Sequence, residues 1–192
     1  MKRSIGIKPA LIPTPVLLVG TYDADGNPNA MTVAWAGVCS SNPVSIAFSV
    51  QKSRHSYQAL IQNRECTLNI PSEAIVRQAD FFGVRSGSDL NKFEATGLTP
   101  VKAGLVNAPV IAECPLVLEC RISQVIEIGV HTQFIAEVVD VQVDESLIAQ
   151  NGDVDIGKVA PFLYNPLSRA YHKVGEHLMD AFTTATAFPK KK

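Results

Sequence analysis

The 192-residue sequence lacks a charge excess, a long apolar run and the common nucleotide-loop motifs. Seventeen Lys and Arg stand against eighteen Asp and Glu, a formal net charge of −1, so no basic surplus is available for nucleic acid. No apolar stretch approaches the roughly 18–20 residues of a membrane helix. Met1-Lys2-Arg3-Ser4 has a positive pair but no apolar segment behind it, and Pro9, Pro13 and Pro15 interrupt the next stretch, so no secretory leader is expected. Cys39, Cys66, Cys114 and Cys120 form no CxxC pair and no zinc-like spacing with His55, His131, His172 or His177. They read as thiols in a reducing compartment, with no metal site. GxGxxG, GxxxxGK(S/T) and GxSxG are all missing, which removes the signals for a Rossmann site, a P-loop and a hydrolase elbow. The expectation is a soluble cytoplasmic protein with no membrane or nucleic-acid partner.

What is present is a chain 46% hydrophobic and 18% charged, long enough to bury a sizeable core. Residues 15–22 are rich in Val and Leu and read as a strand, and Asp25-Gly26 marks the turn after it. A second strand is expected over 29–38, a break at Ser40-Ser41-Asn42-Pro43, and a third strand over 44–50. Tyr57, Leu60 and Ile61 then repeat at helical spacing, with Ser53 as the expected N-cap. A strand at 66–70 stops at Pro71. Helices are expected over 73–83 and 88–95, the second capped by Ser88 or Asp89. Pro109 to Glu113 looks extended. The longest alternating segments, 116–128 and 131–143, pivot at Gly129 and read as a half-buried strand pair. Spacing of Tyr171, Val174, Leu178 and Phe182 suggests a closing helix, and Pro189-Lys190-Lys191-Lys192 a solvated end. Many strands joined by short turns argue for a mainly β protein, an antiparallel barrel with appended helices.

Three segments can carry chemistry. Lys52-Ser53-Arg54-His55-Ser56 places two cations, a histidine and two hydroxyls at the expected start of a helix. Cations are disfavoured there by the helix dipole, and a bound anion would resolve the conflict. The other reading is that both cations simply point into water. Ala30-Met31-Thr32-Val33-Ala34-Trp35-Ala36 alternates between large apolar residues and a face of Ala30, Thr32, Ala34 and Ala36. An alanine-lined face admits either a flat ring close to the backbone or tight packing against another element. Trp35, the only tryptophan, reads as core. His131, at a strand start beside a tight turn, faces either a site or solvent.

Together these residues resemble the flavin reductase-like family, and within it the flavoredoxin branch. The resemblance rests on Asn29 to Trp35, Ser40 to Pro43, Ser53 to Tyr57, Asp89 to Phe93, Gly97-Leu98-Thr99, Ala108-Pro109 and Gly129 to Val138. It implies one domain over residues 1–192, with its core at about 10–180, folded as an FMN-binding split β-barrel and paired as a homodimer. It implies that Thr32, Ala34, Trp35 and Ala36 contact the isoalloxazine ring and that Ser40 and Ser41 lie near the ribityl chain. Ser49, Lys52, Ser53, Arg54 and Ser56 would surround the phosphate, with Lys92 adding charge. FMN is implied over FAD, with NADH or NADPH as donor. His131 matches the histidine of the family's Gly-Asp-His motif, where a nicotinamide approaches.

Two positions depart from the pattern. Val130 stands where the family has Asp, and Ala136 where Gly is common. An acidic neighbour would orient the imidazole, so its loss weakens the case for efficient NAD(P)H use. The resemblance therefore implies either an NAD(P)H-dependent flavin reductase or, as the alternative, an electron carrier that keeps FMN and docks a redox partner protein.

Overall fold

Alternating strands and short turns account for most of the chain. The computed structural model describes residues 1–183. Strands β1 (Thr14–Pro15), β2 (Leu17–Tyr22), β3 (Pro28–Val33), β4 (Ala36–Ser41) and β5 (Val44–Gln51) come first, then helix α1 (Ser56–Asn63) and β6 (Glu65–Ile70). A 3-10 turn at Glu73–Ile75 leads into α2 (Val76–Val84), and α3 (Lys92–Thr96) comes next. Short β7 (Pro100–Lys102) and β8 (Pro109–Ile111) precede the long hairpin β9 (Leu116–Ile128) and β10 (His131–Val143). After these come α4 (Ile156–Val159), β11 (Phe162–Asn165) and β12 (Ala170–Lys173).

Seven strands form one sheet in the order β3-β2-β6-β9-β10-β5-β4. Its two edge strands, β3 and β4, are consecutive in sequence and joined only by Ala34 and Trp35. The sheet must therefore curl until its edges meet, yet among the described residues no ladder pairs β3 with β4. Closure is made by the covalent link, fastened to β5 where the Ser49 N–H donates to the Trp35 carbonyl at 2.9 Å. The result is the expected mainly β split barrel with appended helices.

Inside the barrel Phe48 and Phe134 stack 5.5 Å apart, with Tyr57 of α1 edge-on to Phe134 at 6.0 Å. Leu60, Leu68 and Val19 complete this cluster, so α1 plugs the barrel with its apolar face. The opposite faces of β2 and β3 are also buried: Leu18 and Ala30 pack with Phe82 and Phe93 of α2 and α3. Each fully buried Phe or Leu contributes roughly 1.5–3 kcal/mol.

Several expectations are corrected. The strand expected over 29–38 breaks at Ala34–Trp35, because that link crosses from one sheet edge to the other. Ser40 and Ser41 stay within β4, and the turn is Asn42-Pro43. The α1 cap is His55, with no side-chain cap bond, rather than Ser53; the chain makes a turn first, with Arg54 N–H donating to Gln51 at 3.0 Å. The helix expected over 88–95 is shortened to α3, capped by Asn91, whose side chain accepts from Phe93 and Glu94. The closing helix over 171–182 is instead strand β12 and irregular chain. Tyr171 pairs with Tyr164 in register, and its ring lies 5.3 Å from Phe162 and 5.6 Å from Tyr164, which outweighs a coincidental helical spacing. The terminal Pro189 to Lys192 lies outside the described residues.

The β9 pattern also differs from half-buried alternation. Val117 and Glu119 are buried although they lie on the opposite face of the strand from Leu118 and Cys120. The fully buried Glu119 carboxylate accepts the N–H groups of Gly104, Leu105 and Val106 at 2.9, 2.6 and 3.1 Å, and Gln142 Nε2 at 2.7 Å. It substitutes for the missing strand ladder of that loop.

Candidate functional site

The seam of the barrel is where the chemistry-bearing residues collect. Because β3, the Ala34–Trp35 link and β5 converge there, small side chains leave a cavity of about 310 Å³ lined by Thr32, Ala34, Trp35, Ser49, His131 and Tyr164, among others. A second cavity of about 350 Å³ shares Ala34, Trp35 and Ser49 and adds Ala36, Cys39 and Gln133. Trp35 is half-buried at the wall between them, its ring tilted against Tyr164 at 6.4 Å, so it is not a core residue. His131 opens β10 opposite Gln51 of β5, and both residues line the 310 Å³ cavity.

At its other end that cavity shares Met31, Gln51 and Arg54 with a recess of about 190 Å³. Ser53, Arg54, His55 and Ser56 line the recess from the turn before α1; Arg85, Ser86, Asp89 and Lys92 line it from the α2–α3 region. Lys92 is only 4% exposed; it donates to the Phe82 carbonyl at 3.2 Å and sits 5.1 Å from the centre of the Phe82 ring. Burial, with Arg54 nearby as a second cause, pushes the Lys92 ammonium down to about 8. Arg54 donates to the Gly83 carbonyl at 3.0 Å, and neither Arg54 nor Lys92 has a carboxylate partner among the described residues. A buried Lys92 and an exposed Arg54, both lining one recess and neither with a carboxylate partner among the described residues, fit an anion.

Local packing keeps the recess open. Asn29 Nδ2 donates to Ser56 Oγ at 2.7 Å beneath it. At Gly87 a Cβ would come within 2.5 Å of Asn29 Oδ1 and 2.7 Å of His55 Cδ2, so any larger residue must displace those side chains.

The expected site residues divide accordingly. Thr32, Ala34, Trp35, Ser49 and His131 line one cavity, Ala36 the adjoining one, and Ser53, Arg54, Ser56 and Lys92 the recess. Ser40 and Ser41 lie opposite Ser45 and Val44, at the far end of the β4–β5 hairpin from the recess. Lys52 is turned away: its ammonium pairs with Glu127 at 2.5 Å, and that hydrogen bond holds its pKa up. Sequence reasoning missed Gln51, Arg85, Gly87 and Tyr164. Gly87 within Arg85-Ser86-Gly87-Ser88 carries a turn signal, but nothing local marks Tyr164, which arrives from the far end of the chain.

Residues 10–173 match the family model described as flavin reductase like domain. Among solved structures, the flavoredoxin of Desulfovibrio vulgaris (Miyazaki F) is 46% identical, with a TM-score of 0.93 over 97% of this chain and 100% of that one. An uncharacterised protein of Archaeoglobus fulgidus is 32% identical over 59% of this chain. The FMN reductase (NADH) RutF of Pseudomonas syringae pv. syringae is 28% identical over 64% of this chain. The matched regions span just under two thirds of those two relatives' own lengths, 64% and 66%. With the split barrel and the seam cavities, the family match identifies the chain as a member of the flavin reductase like family.

Proposed function

We propose that this protein binds FMN at the barrel seam and acts as an oxidoreductase fed by NADH or NADPH. Lys92 carries the reading: a buried cation beside Arg54, with no carboxylate in ion-pair contact among the described residues, at the end of a cavity floored by small residues. A phosphate monoester tethered to a planar ring fits that arrangement. Arg54, Lys92, Ser53 and Ser56 hold the phosphate, while Thr32, Ala34, Trp35, Ala36 and Ser49 hold the ring. FMN, rather than FAD, supplies hydride chemistry when bound there. The chain's own part is to orient the ring against the Ala34–Trp35 backbone and keep its inner face dry against Met31 and Val33. His131, at the rim, offers its imidazole to the polar edge of an arriving nicotinamide.

The second reading, a flavin-carrying electron carrier with a protein partner, has its own support. The 46% identity to a flavoredoxin favours it, and so does an exposed Val130 where an acid would assist His131. In either case we read the chain as a homodimer, joined through the exposed apolar surface that includes Leu11, Val38 and Val44.

The test is to desalt the purified protein and follow its visible flavin spectrum while NADH is added without oxygen. Rapid bleaching of a retained flavin supports the reductase. A retained but unbleached flavin supports the carrier. A colourless protein that also ignores added FMN overturns both.

A further inference from the structure

Beyond the seam lies a cavity of about 290 Å³ to which neither flavin nor nicotinamide has been assigned. It shares Thr32, Ala34 and Tyr164 with the cavity assigned to the flavin ring, so whatever fills it lies beside that ring. Its far wall is built from the β11–β12 hairpin, which supplies Arg169, Tyr164 and Tyr171, facing Asp80 of α2. Its volume sits near the lower end of small-molecule sites, roughly 300 Å³, which suits one ring with a substituent.

The polar groups of this cavity are unequally committed. Tyr171 donates its hydroxyl to Asp80 at 2.9 Å, and burial together with that carboxylate pushes the phenol up from its ordinary range, so its proton stays there. Thr32 donates its hydroxyl to the Ala79 carbonyl. Among the described residues, the Arg169 guanidinium and the Tyr164 hydroxyl have no side-chain hydrogen-bond or ion-pair partner. Arg169 is also held at φ 54°, a left-handed conformation that non-glycine residues rarely adopt. The free groups are thus donors, the exposed Arg169 guanidinium at the cavity mouth and the half-buried Tyr164 hydroxyl, with Val16 and Val84 adding apolar wall. Among the described residues Asp80 is the one carboxylate lining the cavity, and it penalises a second negative charge.

We propose that this cavity is the subsite for a small planar carboxylate of single negative charge, its carboxylate taken by Arg169 and Tyr164 and its ring laid beside the flavin. The subsite rests on the flavin reading for its role, but its binding chemistry is its own. Arg169 and Tyr164 select the carboxylate, and Asp80 sets the charge limit.

Benzoate is the probe, phthalate its dianionic counterpart. Binding is read in flavin-free protein by the emission of Trp35, which touches the neighbouring cavity wall, and in flavin-loaded protein by a shift of the visible spectrum. Saturable benzoate binding is expected, with phthalate at least tenfold weaker. Arg169→Gln should weaken benzoate tenfold or more, Arg169→Lys less, and Asp80→Asn should bring phthalate towards benzoate. Flavin affinity should stay within twofold in the Arg169 variants. Unchanged benzoate binding in Arg169→Gln overturns the subsite. So does a variant whose only effect is a raised KM for NADH, since that assigns Arg169 to the donor's phosphates. Benzoate binding to a protein that never takes up FMN keeps the subsite and removes the flavin reading instead.

Discussion

Replacing Lys92 by Met separates a lysine kept for a ligand from one kept for the fold. In the flavin-free protein burial, with Arg54 adding to it, lowers the ammonium from the ordinary 10.5 to about 8. Holding it charged at neutral pH therefore costs about 3 kcal/mol, at 1.36 kcal/mol per pKa unit. Against relief of that cost, the variant deprives the Phe82 carbonyl of its donor, at a cost of roughly 2 kcal/mol. Lys92→Met should thus stabilise the flavin-free protein by roughly 1 kcal/mol at pH 7 in urea unfolding. Because the folded value lies below the unfolded one, the unfolded chain holds the extra proton between about pH 8 and 10.5. Wild-type stability should rise with pH across that window, relative to Lys92→Met. Binding runs the other way: losing a charge-assisted phosphate contact costs roughly 1.5–3 kcal/mol, a ten- to hundredfold rise in FMN Kd. Wild-type affinity should itself fall above about pH 8, where the free protein loses this charge. A variant that is less stable without flavin, yet binds FMN as tightly as wild type, would refute the reasoning and make Lys92 a structural cation seated on Phe82.

Other perturbations address separate parts of the molecule. His131→Ala should raise the KM for NADH roughly fivefold or more, about 1 kcal/mol, with FMN Kd within twofold; steady-state kinetics with an unchanged KM would remove the histidine from the donor's path. Gly87→Ala should push Asn29 and His55 into the recess and weaken FMN at least tenfold in a fluorescence titration, whereas unchanged affinity would move the phosphate elsewhere. Glu119→Ala should cost about 3 kcal/mol or more by stranding the three loop N–H groups, and their hydrogen exchange should accelerate before that of the barrel. Val38, 74% exposed on β4, should on substitution by Glu turn a dimer into a monomer by light scattering; a wild type that is already monomeric would contradict the proposed face.

The long β9–β10 hairpin was legible because its alternation is sustained and Gly129 has the positive φ its turn needs. Strands β5 and β6 are bounded by Pro43 and Pro71, which also mark them plainly in sequence. By contrast, the sheet β1-β11-β12 pairs Thr14 with Tyr164, a contact with no local signature. Helical spacing at Tyr171 to Phe182 therefore misled, since ring packing across β11–β12 decides that segment. At the site, the cluster from Ser53 to Ser56 was visible as a charge conflict at a helix start. Lys92 entered only through the family resemblance, because a lysine's burial depends on Phe82 and on neighbours distant in sequence. Arg169 and Tyr164 carried no signal at all: their meaning comes from the cavity they close.

The absence of a ladder between β3 and β4 gives the barrel a soft joint. Elsewhere, widening the wall breaks a row of backbone hydrogen bonds; here it needs only small torsions at Ala34 and Trp35 and the loss of the single Ser49–Trp35 bond. A ligand lodged at that joint touches both free margins and ties them together. Occupancy and barrel rigidity become one equilibrium, so the loaded protein should be stiffer in its strands as well as more stable, by the logarithm of ligand concentration over Kd.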